Sequence, residues 1–128
     1  MEVTAYTKSV RISPRKVRLI ADVIREKTAD DALRLLAAVQ KRAANPLEKT
    51  IKSAIANAVH NKKIAKENLV IKRLEVTEGT ALKRYHPSTR GRIHPYKKRS
   101  SHIKIVLTDN KNQKSKISPR GKAGKLQI

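Results

Sequence analysis

The side chains of this sequence with the potential for chemistry are concentrated in one stretch, residues 79–104. This stretch holds His86, His94 and His102 at intervals of eight residues, and it contains no Asp or Glu. Histidines spaced in this way along one extended arm do not converge, although His86 and His94 would face each other across a turn. Two histidines without carboxylate or thiolate support make a weak metal site. We therefore predict that these histidines hydrogen-bond to a ligand or stack on it and do not hold a metal.

The same stretch is a dense run of cations. Its eight basic side chains are Lys83, Arg84, Arg90, Arg92, Lys97, Lys98, Arg99 and Lys104. Apolar residues are too sparse there to form a core, so the segment folds back as a hairpin or stays loose until an anion surrounds it. A surface of this kind is well suited to neutralising phosphates, so we predict that it binds nucleic acid.

The charge of the whole chain also predicts nucleic-acid binding. The chain has 128 residues, which suits one domain, and a formal net charge of +21. Residues 79–128 hold 14 of the 31 basic residues and one of the ten acidic residues, Asp109. Three Tyr are the only aromatic residues, so a base-stacking sheet of the RRM or OB kind is not expected.

Enzymatic chemistry is not expected from this composition. The ten acidic residues are dispersed, and no carboxylate pair has a spacing suited to acid–base catalysis. A phosphate-cradling glycine loop, a nucleophile elbow and a His-Glu helix motif are all missing from the sequence. The absence of Cys excludes disulfides, thiolate chemistry and Cys-ligated zinc. We predict a protein without catalytic residues, metal or cofactor.

Membrane association is not expected either. No apolar run has membrane-spanning length, and the first residues do not resemble a signal or transit peptide. We predict a cytoplasmic protein with no membrane partner.

Apolar spacing predicts three helices that help to position the cationic stretch. Ser13-Pro14 predicts the start of the first helix, with Ser as N-cap and Pro in the first turn. Thr28 to Asp31 resembles a capping box that begins the second. The third helix is predicted to begin within residues 41–46 and to end near Asn61-Lys62, with Asn in the left-handed cap.

The exposed side of the first helix has two interpretations. Its apolar side is predicted to consist of Val17, Ile20, Ala21 and Ile24. Arg15, Arg18 and Arg25 lie on the other side with Asp22. These cations form either a solvated face with an internal Asp22–Arg ion pair or a face that contacts phosphates.

Three strands are predicted around the cationic stretch. β-Forming residues predict a short strand over residues 2–8. Alternation predicts strands over 69–78 and 102–108, which pair with each other and so hold both ends of the stretch. The expected fold class is α+β, with three helices packed on a small three-stranded antiparallel sheet, a long protruding β-hairpin and a basic C-terminal tail.

The chain is predicted to form one RNA-binding domain over residues 1–109, which includes the hairpin 79–104. The tail, residues 110–128, is basic and low in apolar content, so we predict disorder unless it is bound.

The predicted hairpin is long for a surface loop. From Gly79 to a tip near Arg90, an extended arm spans about 36 Å at roughly 3.3 Å per residue. Gly91 supplies the backbone freedom that a tight turn requires. Pro87 and Pro95 each lack an N–H, so we expect irregular pairing near the tip.

Several separated motifs give the chain a family resemblance over about residues 2–108. They are RISPRKVRLIADVIR (11–25), SAIANAVHN (53–61), ENLVI (67–71), VTEGTALKR (76–84), GR (91–92) and KRSSHI (98–103). In order and spacing they resemble the bacterial-type large ribosomal subunit protein twenty-two family. The resemblance implies three helices on a small antiparallel sheet, binding to several domains of the large-subunit rRNA, and a role in early assembly.

The resemblance also implies a place for the hairpin and its partners. The hairpin would reach the nascent-peptide exit tunnel and line its narrow part, near the extended loop of large-subunit protein four. Implied partners are thus large-subunit rRNA, neighbouring ribosomal proteins and the nascent peptide, with no homo-oligomer expected.

Site residues are carried over by position. The RNA-binding set implied by the resemblance and by the charge pattern is Arg11, Arg15, Lys16, Arg18, Lys83, Arg84, Arg90, Arg92, Lys97, Lys98, Arg99 and His102. The implied tunnel tip is His86, Pro87, Ser88, Thr89, Arg90, Gly91 and Arg92. The family commonly has Pro-Arg-Ala before its basic-Gly-Arg, so this chain lacks one cation at Ser88, and Pro95 is also atypical.

Two other functions fit parts of the pattern. An architectural DNA-binding protein would insert a Pro-tipped basic β-arm into a minor groove, usually as a dimer. A membrane-active cationic protein would need a helix with a bulky free apolar face. The helices here use their apolar stripes for a core, which makes the second the weakest alternative.

Overall fold

A computed structural model describes residues 1–110 of the chain. In chain order its main elements are strand β1 (Glu2–Val10), helices α1 (Pro14–Ile24), α2 (Ala29–Ala38) and α3 (Ala44–Lys62), and strands β2 (Leu69–Glu78), β3 (Leu82–Pro87), β4 (Ile93–Lys98) and β5 (Ser101–Asp109). These elements confirm the predicted α+β fold with three helices, a three-stranded sheet and a protruding hairpin. The predicted disorder of the tail concerns residues that, beyond Asn110, lie outside the described range.

The first two helices begin where the sequence predicted. Pro14 stands in the first turn of α1, although the side chain of the N-cap Ser13 makes no capping hydrogen bond. Thr28 caps α2, because its hydroxyl accepts a hydrogen bond from the Asp31 backbone N–H at 3.2 Å. This bond satisfies one of the donors that a helix start leaves unpaired.

The third helix ends at Lys62, as predicted, but its left-handed cap lies two residues beyond the predicted Asn61. Lys63, not Asn61, has the left-handed backbone, with φ 51° and ψ 35°, and its N–H bonds to the Ala58 carbonyl. Along α3 the buried side chains include Leu47, Ile51 and Ala54, each without exposed surface. Burial of a large aliphatic side chain of this kind stabilises a fold by about 1.5–3 kcal/mol.

The three-stranded sheet is antiparallel, with the strand order β1-β5-β2. On β5, Ile103, Ile105 and Leu107 have no exposed surface and belong to the main core cluster with the helices. The predicted pairing of the two strands that flank the hairpin is confirmed, since β2 and β5 are in register from Leu69–Asp109 to Glu78–Ser101, with one irregularity.

One ion pair reaches across the central strand. Lys72 of β2 contacts the Glu2 carboxylate of β1, although these two strands are not neighbours. The hydrogen bond and the charge of Lys72 lower the pKa of the Glu2 carboxyl. Both groups are largely exposed, so the pair adds little to stability.

Strands β3 and β4 form a separate two-stranded ladder. Their register runs from Leu82–Lys98 to Pro87–Ile93 without a slip. The expected irregular pairing is therefore wrong. Tyr85–Pro95 and Pro87–Ile93 are alternate pairs, and the neighbouring Ser88 N–H bonds to the Arg92 carbonyl at 2.7 Å. Both prolines thus occupy non-hydrogen-bonded pairs, where no N–H is required.

The hairpin joins the sheet at a tight junction. The Gly79 N–H donates to the Ser100 carbonyl at 2.9 Å, and the Ser100 hydroxyl donates to the Thr80 carbonyl at 2.7 Å. A Cβ on Gly79 would overlap the Ser100 hydroxyl and would lie 3.2 Å from the His102 ring. Glycine at this position therefore permits the close approach of the two chains at the base of the hairpin.

We predict that Gly79→Ala lowers the free energy of unfolding by about 1–2 kcal/mol, because the methyl group displaces the Ser100 hydroxyl from its buried hydrogen bond. Urea unfolding measures this change. In a double-mutant cycle, Gly79→Ala should be less harmful in a Ser100→Ala background, where the overlapping oxygen is gone. Equal losses in both backgrounds would refute this account of the junction.

Candidate nucleic-acid interface

The predicted hairpin cations all lie on the surface. Lys83 and Arg84 on β3, Lys97 and Lys98 on β4, and Arg90, Arg92 and Arg99 beside the strands are exposed. Among these seven cations, only Arg99 forms an ion pair with a residue in positions 1–110, since its guanidinium lies 3.7 Å from the Glu78 carboxylate. Because no other carboxylate in the described part of the chain pairs with them, these cations are available to phosphates.

The register gives the two faces of the hairpin different chemistry. One face carries Leu82, Arg84, His86, His94, Tyr96 and Lys98, and the other carries Lys83, Tyr85, Pro87, Ile93, Pro95 and Lys97. The first face has rings beside cations. The second has an apolar group near the tip, where Tyr85 and Ile93 are 64% and 63% exposed.

His86 and His94 face each other across the hairpin, as the sequence predicted. The His86 ring stacks on Tyr96 with 4.1 Å between centroids and 16° between planes. The His94 Nε2 lies 3.1 Å from the Ser88 hydroxyl. Among the residues that the structure describes, no three His, Asp or Glu side chains come close enough to hold a metal. The geometry suits stacking and hydrogen bonding.

The tip is a short turn with two left-handed residues. Arg90 has φ 61° and Gly91 has φ 69°, which confirms the expected role of glycine in the turn. Ser88 is half-buried against His94, while His86, Pro87, Thr89, Arg90, Gly91 and Arg92 are exposed. The positive charge of the tip is thus presented by its two arginines.

The exposed side of α1 contains the Asp22–Arg ion pair of one interpretation, while contact of this side with phosphates stays a prediction. Arg25 pairs with Asp22 at 2.9 Å, and Arg18 donates through Nε and Nη2 to the Val76 carbonyl at 3.2 and 2.9 Å. Arg15 has no such partner in the described part of the chain. Arg18 therefore ties α1 to β2, whereas Arg15 is available to a ligand.

His102 is held by the protein itself. Its Nδ1 accepts a hydrogen bond from the Ser9 N–H at 2.9 Å, and its ring lies 6.1 Å from that of Tyr6. Ser9 has a left-handed backbone at the irregularity in the β1–β5 register. The contact gives His102 a structural role, and its RNA contact stays a prediction.

A basic cavity of about 520 Å³ lies where the start of α1 meets the base of the hairpin. We call this cavity the basic niche, and its cations are Arg11, Lys16, Lys41, Arg42, Lys98 and Arg99. Lys41 and Arg42, from the loop between α2 and α3, were missed by the sequence analysis. Their adjacent positive charges were a signal, but only the fold brings them to Arg11 and Lys98.

No helix among the described residues is long and apolar enough to cross a membrane.

Comparison with known proteins identifies relatives of this chain. The family model described as ribosomal protein L22p/L17e matches residues 5–108. The large ribosomal subunit protein uL22 of Oceanobacillus iheyensis is 47% identical over 111 residues, which are 87% of this chain and 98% of that protein. The proteins of the same name from Mesoplasma florum and Carboxydothermus hydrogenoformans are 45% and 44% identical, each over 87% of this chain and over 99% and 98% of their own lengths.

The different settings of two arginines on α1 give a test. We predict that Arg18→Ala lowers the free energy of unfolding by about 1 kcal/mol, because the Val76 carbonyl loses a charged donor. Arg15→Ala, the matched control, should change stability by no more than about 0.5 kcal/mol. Urea unfolding of both variants measures the difference, and equal effects would show that the Arg18–Val76 contact does not stabilise the fold.

Proposed function

We propose that this chain, which belongs to the ribosomal protein L22p/L17e family and is thus a protein of the large ribosomal subunit, binds the large-subunit rRNA directly. The observation that carries the proposal is the set of exposed hairpin and helix cations that have no carboxylate partners in the described residues. A structural role within the ribosome is part of this proposal, and membership of the family supports it.

The RNA-binding surface spans segments far apart in the chain. Arg11 lies just before α1 and Lys16 lies in its first turn. Lys41 and Arg42 belong to the α2–α3 loop, and the hairpin supplies a third group. Cations held by one folded core can neutralise phosphates of RNA segments that converge on it. This supports a role in assembly, in which the protein fixes neighbouring RNA segments relative to each other.

The hairpin is proposed to line the nascent-peptide exit tunnel, near large-subunit protein four. Support comes from its construction: β3 and β4 form their own ladder away from the sheet, and the junction at Gly79 and Ser100 sets where the arms start. The tip from His86 to Arg92 would then face the tunnel and the nascent peptide. The architectural DNA-binding alternative gains no support, because the family match covers nearly the whole described chain.

We predict that the protein co-sediments with the large subunit and remains bound at moderate salt. In purified form it should bind large-subunit rRNA with an affinity that falls steeply as salt rises, because phosphate contacts release counterions. Gradient sedimentation and a salt titration of the dissociation constant measure both effects. Recovery of the protein only from fractions free of RNA would refute the proposal.

We predict that the hairpin tip contributes little to RNA affinity. Replacing residues 87–93 with Asn-Gly leaves the pair His86–His94 joined by a two-residue turn and removes two cations, Arg90 and Arg92. The shortened protein should bind large-subunit rRNA within about threefold of the parent and should still enter the subunit, because the arms and the niche keep most phosphate contacts.

The matched control is Lys83→Ala/Lys97→Ala, which removes two cations from one cross-strand pair nearer the base. It should weaken binding more than the shortened tip does. If shortening the tip abolished binding while the control did not, the tip would carry the affinity and this division would be wrong.

A further inference from the structure

The basic niche combines cations with an apolar wall. Besides its six basic side chains it is lined by Ile12, Leu19, Ile20 and Ala43. Its volume of about 520 Å³ lies in the range of roughly 300–1,000 Å³ that is usual for sites that enclose one small ligand. This volume is therefore sufficient for one compact group.

The cations of the niche are poorly neutralised by the protein. Arg99 has Glu78 at 3.7 Å, while the other five form no ion pair with any carboxylate in residues 1–110. Like charges held around one cavity repel each other. An anion in the niche would relieve this repulsion.

The apolar wall of the niche indicates that its ligand has an apolar part as well as a negative charge. Ile20 and Ala43 are nearly fully buried, but Leu19 is 69% exposed at the edge of the niche. A phosphate gains nothing from contact with Leu19, whereas a flat apolar ring would remove that surface from water. Arginine guanidinium planes such as those of Arg11 and Arg42 also stack on bases.

Ser13 adds a polar group to the same cavity. It lines the niche, and its hydroxyl does not cap α1. The hydroxyl is thus available to donate to a phosphate oxygen beside the positive end of the helix.

We propose that the basic niche holds one unstacked nucleotide of the bound RNA, with its base against Leu19 and Ile12 and its phosphates on the surrounding cations. This inference rests on the proposed RNA binding and adds a specific site to it. It also assigns a function to the α2–α3 loop, which supplies Lys41 and Arg42 as part of the wall.

Photo-crosslinking tests the site in large subunits reconstituted with the full chain. One chain carries the photoreactive amino acid p-benzoylphenylalanine in place of Leu19. The matched control carries it in place of Val23, which is 51% exposed one turn further along α1 and does not line the niche. Position 19 should crosslink to the base of a single rRNA nucleotide, and position 23 should not label that nucleotide.

Loss of the loop cations should then empty the niche. Adding Lys41→Ala/Arg42→Ala to the position-19 chain should lower the yield of that crosslink by about tenfold, because charged hydrogen bonds to phosphate are lost. Adding Lys49→Ala/Lys62→Ala, which removes two exposed cations of α3 outside the niche, should leave the yield within about twofold.

A second measurement uses protein without the photoreactive residue, so that a folding defect caused by the substitution at position 19 cannot affect the result. In subunits with otherwise unmodified protein, Lys41→Ala/Arg42→Ala should raise the reactivity of one rRNA base toward base-modifying reagents. Unchanged reactivity at every base would overturn the proposal.

Other outcomes separate this inference from the proposed function. Crosslinks from position 19 that spread over many nucleotides, or that reach an acidic segment of a neighbouring protein, would overturn the nucleotide site while rRNA binding stands. Failure of the unmodified chain to bind large-subunit rRNA would overturn the proposed function and the site together.

Discussion

The central position of β5 is the constraint on which the rest of the structure depends. Its two edges pair with β1 and β2, and its inward side chains Ile103, Ile105 and Leu107 are fully buried among the helices. An isolated hairpin is marginal in water. Here the outgoing arm follows from β2 and the returning arm leads into β5, so the hairpin begins from two strands that the core already holds. The stability of the core thereby determines where the cationic arms start.

This arrangement keeps the charge of the chain away from its core. The buried residues within positions 1–110 are apolar apart from a few hydroxyl side chains, and no Lys or Arg is among them. A net charge of +21 is therefore carried by surfaces, where water and a bound polyanion can screen it. Helix α1 shows the principle on one element, since Val17 and Ala21 are fully buried while Arg15 is exposed.

The sequence was sufficient where burial alone decides the structure. The spacing of Val17, Ile20 and Ile24 predicted a helix, and the alternation of Ile103 and Ile105 predicted a strand, because each pattern places apolar groups on one side. Features that depend on distant approach were not predictable in this way. Lys41 and Arg42 reach the start of α1 only through the packing of the helices. The left-handed cap of α3 is Lys63 and not the predicted Asn61. Its position depends on where α3 stops packing against the core, and no local sequence pattern specifies that point.

The prolines of the hairpin show why the prediction of irregular pairing near the tip was wrong. Each was expected to disturb pairing, yet both occupy positions whose N–H would point away from the partner strand. A slip of one residue reverses the face of every side chain on the shifted strand. It would also move Pro87 or Pro95 into a hydrogen-bonded pair that lacks a donor. The two prolines therefore disfavour both alternative registers. They keep Arg84, His86 and Tyr96 together on one face, apart from Tyr85 and Ile93, so the residues that interrupt the donor pattern are also those that preserve the chemistry of the two faces.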